Sequence, residues 1–501
     1  MKWTRLAWCC GLLLAASTVF AQMYTVTDLG AFNGSWSEAT AINASGQVAG
    51  NTLAAQPPGE FPVYHAFRTA PNRAMNSATD DVANTCCDLH NVTTTCVAGV
   101  WANGINNSGQ VVGQVYNLYG QDRFAFATAA NSPVQTYTDW FPTNSTAATG
   151  INASGQVLVD HDVYQSFLTT ASAPGDSFRD YKQQSIGTLS PGGIGNFTGY
   201  TEAYGINDVG QAVGRSDTGA AAPNSLTFHA FRTRPNKAIR PVTDDLGTLG
   251  GTISYGYGVN LFGQVVGTAT IAGDTASHAF RTAPNRKINA AKDDLGTLGG
   301  SYSAATSLNN FGETVGWSSL SGDAVQHAFI YGRGGMQDLN NLVAASADCE
   351  LIGATRNSPV INDSGQIAAN RTCNGQQHAV LLTPIYKALV QPPVKADGSS
   401  VFAVKQAVLL LRFRLQEQGT PTCTLPPATV AIRRASQQIL SVVSEETIYG
   451  DAVSSAAPNG VAPILCQYVD PVQPSRLGAG TYLVDLSIHG IMVGHAVFTL
   501  R

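Results

Sequence analysis

Short apolar runs recur along the chain, each closed after a few residues by a turn signal, and none continues with a helical period. The clearest signal is the string Ile42-Asn-Ala-Ser-Gly-Gln-Val48. It returns as Ile105–Val111, Ile151–Val157, Ile206–Ala212, Val259–Val265, Leu308–Thr314 and Ile361–Ile367. Aligned on Gly46, Gly109, Gly155, Gly210, Gly263, Gly312 and Gly365, the steps are 63, 46, 55, 53, 49 and 53 residues. Asn stands three before each of these glycines, and Gln follows in every copy except one, which has Glu313. Asn favours the first position of a type I turn because its side chain bonds the backbone two residues on. Gly then takes the positive φ that closes a hairpin with a bulge. Each string therefore predicts a hairpin, and its apolar flanks, such as Val111-Val112 and Val265-Val266, predict the paired strands.

Two further elements keep the same period. After the hairpin comes His65-Ala-Phe67, with counterparts at Phe124–Phe126, Gln165–Phe167, His229–Phe231, His278–Phe280, His327–Phe329 and His378–Val380. Before it comes an Asp-Leu-Gly-like segment: Asp28–Gly30, Asp88-Leu89, Asp139-Trp140, Ile186–Leu189, Asp245–Gly247, Asp294–Gly296 and Asp338-Leu339. Four short strands in about 50 residues is the spacing of propeller blades, so the expected fold is all-β, with a seven-bladed β-propeller. The opening strand Tyr24–Leu29 is expected to complete the last blade and close the ring, leaving no open edge. A solenoid would want distinct capping repeats, and none is visible.

Gly-Thr-Leu-Gly-Gly (247–251 and 296–300), the Asn-x-x-Gly-Gln hairpin and His-Ala-Phe together resemble the bacterial extracellular HAF repeat family over roughly residues 24 to 383. Three copies share a longer form, as in Ala66-Phe-Arg-Thr-Ala-Pro-Asn72, each followed by an Asp-Asp pair. The resemblance implies an exported repeat protein and brings no established chemistry.

The first residues set the compartment. Lys2 and Arg5 precede the apolar run Leu6–Phe20, and Val19-Phe20-Ala21 ends it as a signal-peptidase site does, so 1–21 reads as a signal peptide and the mature chain starts at Gln22. No later segment is apolar enough to span a bilayer, and a secreted protein, extracellular or periplasmic, is expected. Seven cysteines then remain, and in an oxidising compartment they read as bridges. Sequence neighbourhood pairs Cys349 with Cys373, Cys423 with Cys466, and Cys96 with Cys86 or Cys87.

Composition narrows the class. Only 12% of residues are charged and 51 are Gly, which excludes coiled coils and charged disordered tails. The net charge of -5 becomes -7 once Lys2 and Arg5 are lost, and no basic tract exists, so no nucleic-acid partner is expected. The propeller reading covers 22–385, a Pro-punctuated linker 386–396, and a β-sandwich 397–501. In the last, Asp397–Phe402 and Gly478–Tyr482 are similar to immunoglobulin-like modules appended to bacterial secreted proteins.

Candidate chemistry is sparse. The repeated histidines and the pairs Asp80-Asp81, Asp244-Asp245 and Asp293-Asp294 recur with the scaffold, so each is expected to bond within its own copy. Asp160-His161-Asp162 is unique to the most divergent copy and reads as a solvated loop. No nucleophile elbow, phosphate loop or His-Glu-x-x-His helix occurs, and no catalytic residue, metal or cofactor is assigned. Aromatics gather before the hairpins. Trp36, Trp101, Tyr200, Tyr255 and Tyr302 are the candidate ligand-facing residues, with Phe197 and Tyr257 beside them; the competing reading is packing between blades. The expected function is non-enzymatic binding or adhesion toward a cell-surface polysaccharide or protein. The alternative is a secreted carbohydrate-active hydrolase or lyase with its site at the channel mouth.

Overall fold

The computed structural model describes residues 22–32, 35–53, 63–82, 97–117, 123–134, 146–161, 165–170, 182–190, 199–219, 227–353, 357–395, 398–435, 449–452 and 466–501. The candidate signal peptide 1–21, Cys86, Cys87, Cys96, Asp88-Leu89, Asp139-Trp140, Asp162 and Phe197 lie outside them. Within them the chain is all-β, with helical structure confined to short turns such as Pro241–Asp244, Leu339–Leu342 and Pro474–Leu477. No described helix is long and apolar enough to cross a membrane.

Every hairpin string folds as its turn chemistry dictates. The glycine of each copy has φ between 71° and 83°. In the first copy Asn43 Oδ1 accepts the backbone N–H of Ser45 at 3.1 Å and of Gln47 at 3.0 Å. Three antiparallel strands follow from each turn, Ser37–Ile42, Val48–Leu53 and Tyr64–Arg68 in the first copy and Gly250–Val259, Val265–Ile271 and Ser277–Arg281 in the fifth.

The same asparagines also join the copies. Asn43 Nδ2 donates to the carbonyl of Asn106 (3.1 Å), Asn106 to Asn152 (3.2 Å) and Asn152 to Asn207 (3.2 Å). Asn207 donates to Asn260 (2.8 Å), Asn260 to Asn309 (3.1 Å) and Asn309 to Asn362 (3.4 Å). Asn362 returns to the carbonyl of Asn43 at 3.0 Å, so the belt closes on itself. All these asparagines are buried, where an unmade bond is costly and a made one fixes the geometry. The opening strand Tyr24–Gly30 pairs antiparallel with Gln376–Pro384, in the register Tyr24↔Pro384 to Gly30↔Ala379. Beginning and end of the repeat array are thereby zipped together.

A bulge interrupts the first strand pair of six copies, between Ala39/Ala41, Ala102/Gly104, Ala148/Gly150, Ala203/Gly205, Gly256/Gly258 and Ala305/Ser307. Opposite it, the backbones press so close that a Cβ on Gly267 would stand 1.8 Å from the Tyr255 carbonyl, and one on Gly214 1.9 Å from that of Glu202. Glycine is required there by contact, not by φ.

Among the described residues the Asp-Leu-Gly segments form strands at Tyr24–Gly30 and Gly335–Asp338, and a short strand, Gln183–Ser185, pairs just ahead of Ile186–Leu189. Elsewhere the expected outer strand shrinks to single bridges, Phe67↔Asp81, Phe231↔Asp245 and Phe280↔Asp294. The residues just before are wound into turns held by Asp80, Asp244 and Asp293, whose carboxylates accept the N–H of Asn76, Arg240 and Asn289. In the first copy Asp81 stands where the sequence reading placed Asp88 in the following copy.

Beyond the ring, two sheets face each other. One contains Tyr386–Gln391, Leu409–Glu417, Thr420–Pro421 and Tyr468–Val472; the other contains Ser400–Phe402, Ala428–Ala435, Tyr449–Ala452, Gly480–Ile488 and Ile491–Leu500. Leu409, Leu411, Phe413 and Leu415 alternate inward against Val430, Ile432, Tyr482, Val484, Leu486 and Phe498 in one core. The expected linker 386–396 needs correction. Tyr386–Gln391 is a strand paired from Tyr386↔Glu417 to Gln391↔Arg412, because Ala388 and its neighbours Tyr386 and Val390 pack on that core. Disulfides join Cys349 to Cys373 and Cys423 to Cys466, as the spacing suggested.

Candidate functional site

The bulges decide what faces the axis of the ring. An inserted residue leaves the ladder and re-aims its side chain. Here the inserted residues are Thr40, Asn103, Thr149, Tyr204, Tyr257 and Thr306, and all six line one axial cavity of about 220 Å³. A second cavity, of about 210 Å³, lies at the turn end of the ring and is lined by the Asn-x-x-Gly strings. Ile105, Ile151, Ile206, Val259 and Leu308 line both, so they form the apolar layer between the two. The axial passage is thus a polar and aromatic cup, floored by aliphatic side chains.

Tyr204 links the cup to a cluster at the seam of the fourth and fifth copies. Its hydroxyl donates to Glu202 Oε2, Tyr200 OH donates to Glu202 Oε1 at 2.6 Å, and Arg215 Nε donates to Oε2 at 2.8 Å. The Arg215 guanidinium also lies over three rings, 5.4 Å from the centre of Tyr200, 4.8 Å from Phe228 and 5.0 Å from Tyr255. Burial pushes the Glu202 carboxyl up, but the two tyrosine hydroxyls and Arg215 outweigh it and hold it below the usual carboxylate range. Burial, reinforced by the Glu202 carboxylate, pushes Tyr200 up to about 12. Such an ionised, fully bonded carboxylate has no proton to give; it orients rings.

In the first copy the residue matching Glu202 is Glu38. It accepts one bond, from Asn51 Nδ2 at 2.8 Å, and burial pushes its carboxyl above the usual range despite that bond. Nearby, Trp36, Tyr64 and Trp101 form a ring cluster with centroids 4.6 to 6.4 Å apart.

The five candidate aromatics are therefore divided. Trp36 and Trp101 come together around Tyr64 of the first copy, and Tyr200 and Tyr255 come together around Arg215. Tyr302 stands apart, 43% exposed, its backbone bridged to Ser277. Each pair straddles the seam between neighbouring copies, half-buried, and none of the five lines the axial cavity. The sequence reading did not single out Tyr204, whose signal was its place seven residues before the turn glycine's neighbour Gln211, in line with Thr40 and Thr149.

The repeated histidines sit against the Asp-Leu-Gly aspartates. Nδ1 of His65 is 2.8 Å from Asp81, of His229 2.9 Å from Asp245, of His278 3.0 Å from Asp294 and of His327 2.7 Å from Asp338. His378 reaches Asp28 at 3.1 Å, across the closure. Among the described residues no three His, Cys, Asp or Glu side chains converge as metal ligands would.

No family model matches the chain, and no curated protein matches it. Among solved structures, a Trypanosoma rangeli sialidase in complex with sialic acid is similar at 11% identity and a TM-score of 0.31, covering 94% of this chain and 86% of that one.

Proposed function

We propose that the chain is a secreted, seven-bladed HAF-type β-propeller carrying an immunoglobulin-like sandwich, and that it binds a cell-surface polysaccharide or protein without turning it over. Polysaccharide is the better-supported class. The observation that carries this reading is the cup: six bulges each turn one residue to the axis, where Tyr204 and Tyr257 offer ring faces. The hydroxyls of Thr40, Thr149 and Thr306 and the amide of Asn103 donate to neighbouring backbone carbonyls and keep only their acceptor oxygens for sugar hydroxyls. The charged pair beside it, Glu202 and Arg215, is mutually neutralised and spent on holding rings. A glycan array probed with the mature chain tests the reading. Tyr204→Ala or Tyr257→Ala should weaken the retained glycan about tenfold, and unchanged binding by both variants would refute it.

Glu38 supports the second reading, a carbohydrate-active hydrolase or lyase. A carboxyl raised by burial beside Trp36 and Trp101 has the character of a general acid. Glycan cleavage by the wild type, abolished in Glu38→Gln, would move the assignment from binding to catalysis.

A further inference from the structure

The C-terminal sheets dock on the ring through one face of the hairpin formed by Gly480–Ile488 and Ile491–Leu500. Tyr482, Val484, Leu486 and Ile488 point into the module's own core, so the alternate residues Asp485 and Ser487 face away from it, and both line a cavity at the junction with the ring. They are almost fully buried, at 2% and 1% exposure. That cavity measures about 190 Å³, several times the ~30 Å³ that one water occupies in the liquid. Phe311 and Tyr331 from the ring supply aromatic walls, and Arg333 and Arg433 supply guanidinium groups.

Asp485 Oδ1, Ser487 Oγ and Arg433 Nε are buried polar atoms in this lining with no bond within the protein. An acceptor, a hydroxyl and a donor left open around one space call for an occupant that both gives and takes hydrogen bonds. The charges argue against an ion. Arg333 Nη2 at 2.9 Å and Arg433 Nη2 at 2.6 Å both bind Asp485 Oδ2, which leaves one positive charge over, but the unpartnered Asp485 Oδ1 needs a donor and would meet an anion with like charge. The same two guanidiniums repel a metal cation from the carboxylate. Arg281 is turned to the Gly312 carbonyl and the Tyr331 ring, and Glu313 to Asn309 and the backbone of Met492. Vicinal hydroxyls fit what remains: one donates to Asp485 Oδ1, a neighbour accepts from Arg433 Nε, and Ser487 serves either.

We propose that the junction cavity is a binding site for one neutral sugar or polyol unit, separate from the axial cup.

The test titrates the full mature chain with D-glucose, D-galactose and D-mannose by calorimetry, with inorganic phosphate and calcium as the ionic comparisons. At least one hexose should bind saturably and neither ion should. Ser487→Ala should lower the association constant about tenfold and leave the melting temperature unchanged or slightly raised, since it removes a hydroxyl that has no partner in the free protein. Tyr204→Ala, in the cup, should leave hexose binding intact, which separates this site from the proposed polysaccharide site. Binding by none of the hexoses, phosphate binding in their place, or hexose binding that survives Ser487→Ala would each overturn the proposal.

Discussion

Two versions of one hairpin differ by a single atom type, and the difference marks where the ring meets its C-terminal module. In the first, third, fourth and seventh copies the Gln after the turn glycine accepts from the belt asparagine through Oε1. Its Nε2 donates to an Asn Oδ1 of the next copy: Gln47 to Asn131 (3.2 Å), Gln156 to Asn236 (2.9 Å), Gln211 to Asn285 (3.2 Å) and Gln366 to Asn72 (2.7 Å). In the sixth copy the residue is Glu313. The next copy has no such asparagine, because the chain runs from Pro384 straight into the strand Tyr386–Gln391. What faces Glu313 instead is a donor, the Met492 N–H, 3.0 Å from Oε1, while Asn309 Nδ2 holds Oε2 at 2.9 Å. A carboxylate accepts from both sides; an amide cannot. The copy-to-copy contact and the module contact use one position with opposite polarity.

The largest effect is expected from removing a belt asparagine that both versions share. Asn260→Ala loses the turn bonds to Phe262 and Gln264 and the bond to the Asn309 carbonyl, in a buried setting. A loss of about 3 kcal/mol in urea unfolding is the expected result.

Next comes pH. Burial, with Asp485 and Asp363 adding to it, pushes the Glu313 carboxyl up to about 7 from an ordinary 4.5, against the opposing bonds from Asn309 and Met492. A carboxyl raised on folding binds more protons folded than unfolded. Its contribution is therefore complete below pH 4.5, falls as pH rises and is lost by about pH 7. The scale is about 1.4 kcal/mol per pH unit. His495, its ring centre 4.1 Å from that of Phe311, is lowered by burial from 6.5, so its contribution is lost as pH falls below that value. Melting temperature against pH should thus fall on both sides. Glu313→Gln should flatten the alkaline limb, and it should cost about 1–2 kcal/mol near pH 5, because its amide leaves either Asn309 or Met492 without an acceptor. An alkaline limb unchanged in that variant would show that another group controls it.

The smallest effect belongs to the peripheral pairs. His278→Ala removes a partner of Asp294 whose side chain is 33% exposed, and about 0.5 kcal/mol or less is expected in thermal melts.

Much of the scaffold was legible in residues alone, because turn chemistry is local. Asn43 to Gly46 names its own turn, and His65 marks a strand wherever it recurs. The strand Tyr24–Gly30 and both disulfides in the described residues could be placed from the order and spacing of the pieces. What was not legible depends on contacts between copies. The belt formed by the asparagine Nδ2 atoms uses a side chain whose turn role already accounted for it. The bulges at Tyr204 and Tyr257 each shift register by one residue, and these two residues enter the axial cup while Tyr200 and Tyr255 pack around Arg215. Glu313 was visible as a departure from Gln, but its meaning required Met492, 179 residues away. The supposed linker misled because Pro392-Pro393 punctuates a strand that had already begun at Tyr386.

Hydrogen exchange at Thr25 to Asp28 tests the ring most directly, since the closed belt and the cup both require this first segment to be paired with Thr383 to Val380. These amides should be as protected as those of Val265 to Ala269 in the middle of the fifth copy. Exchange at the rate of an unstructured terminus would contradict the account.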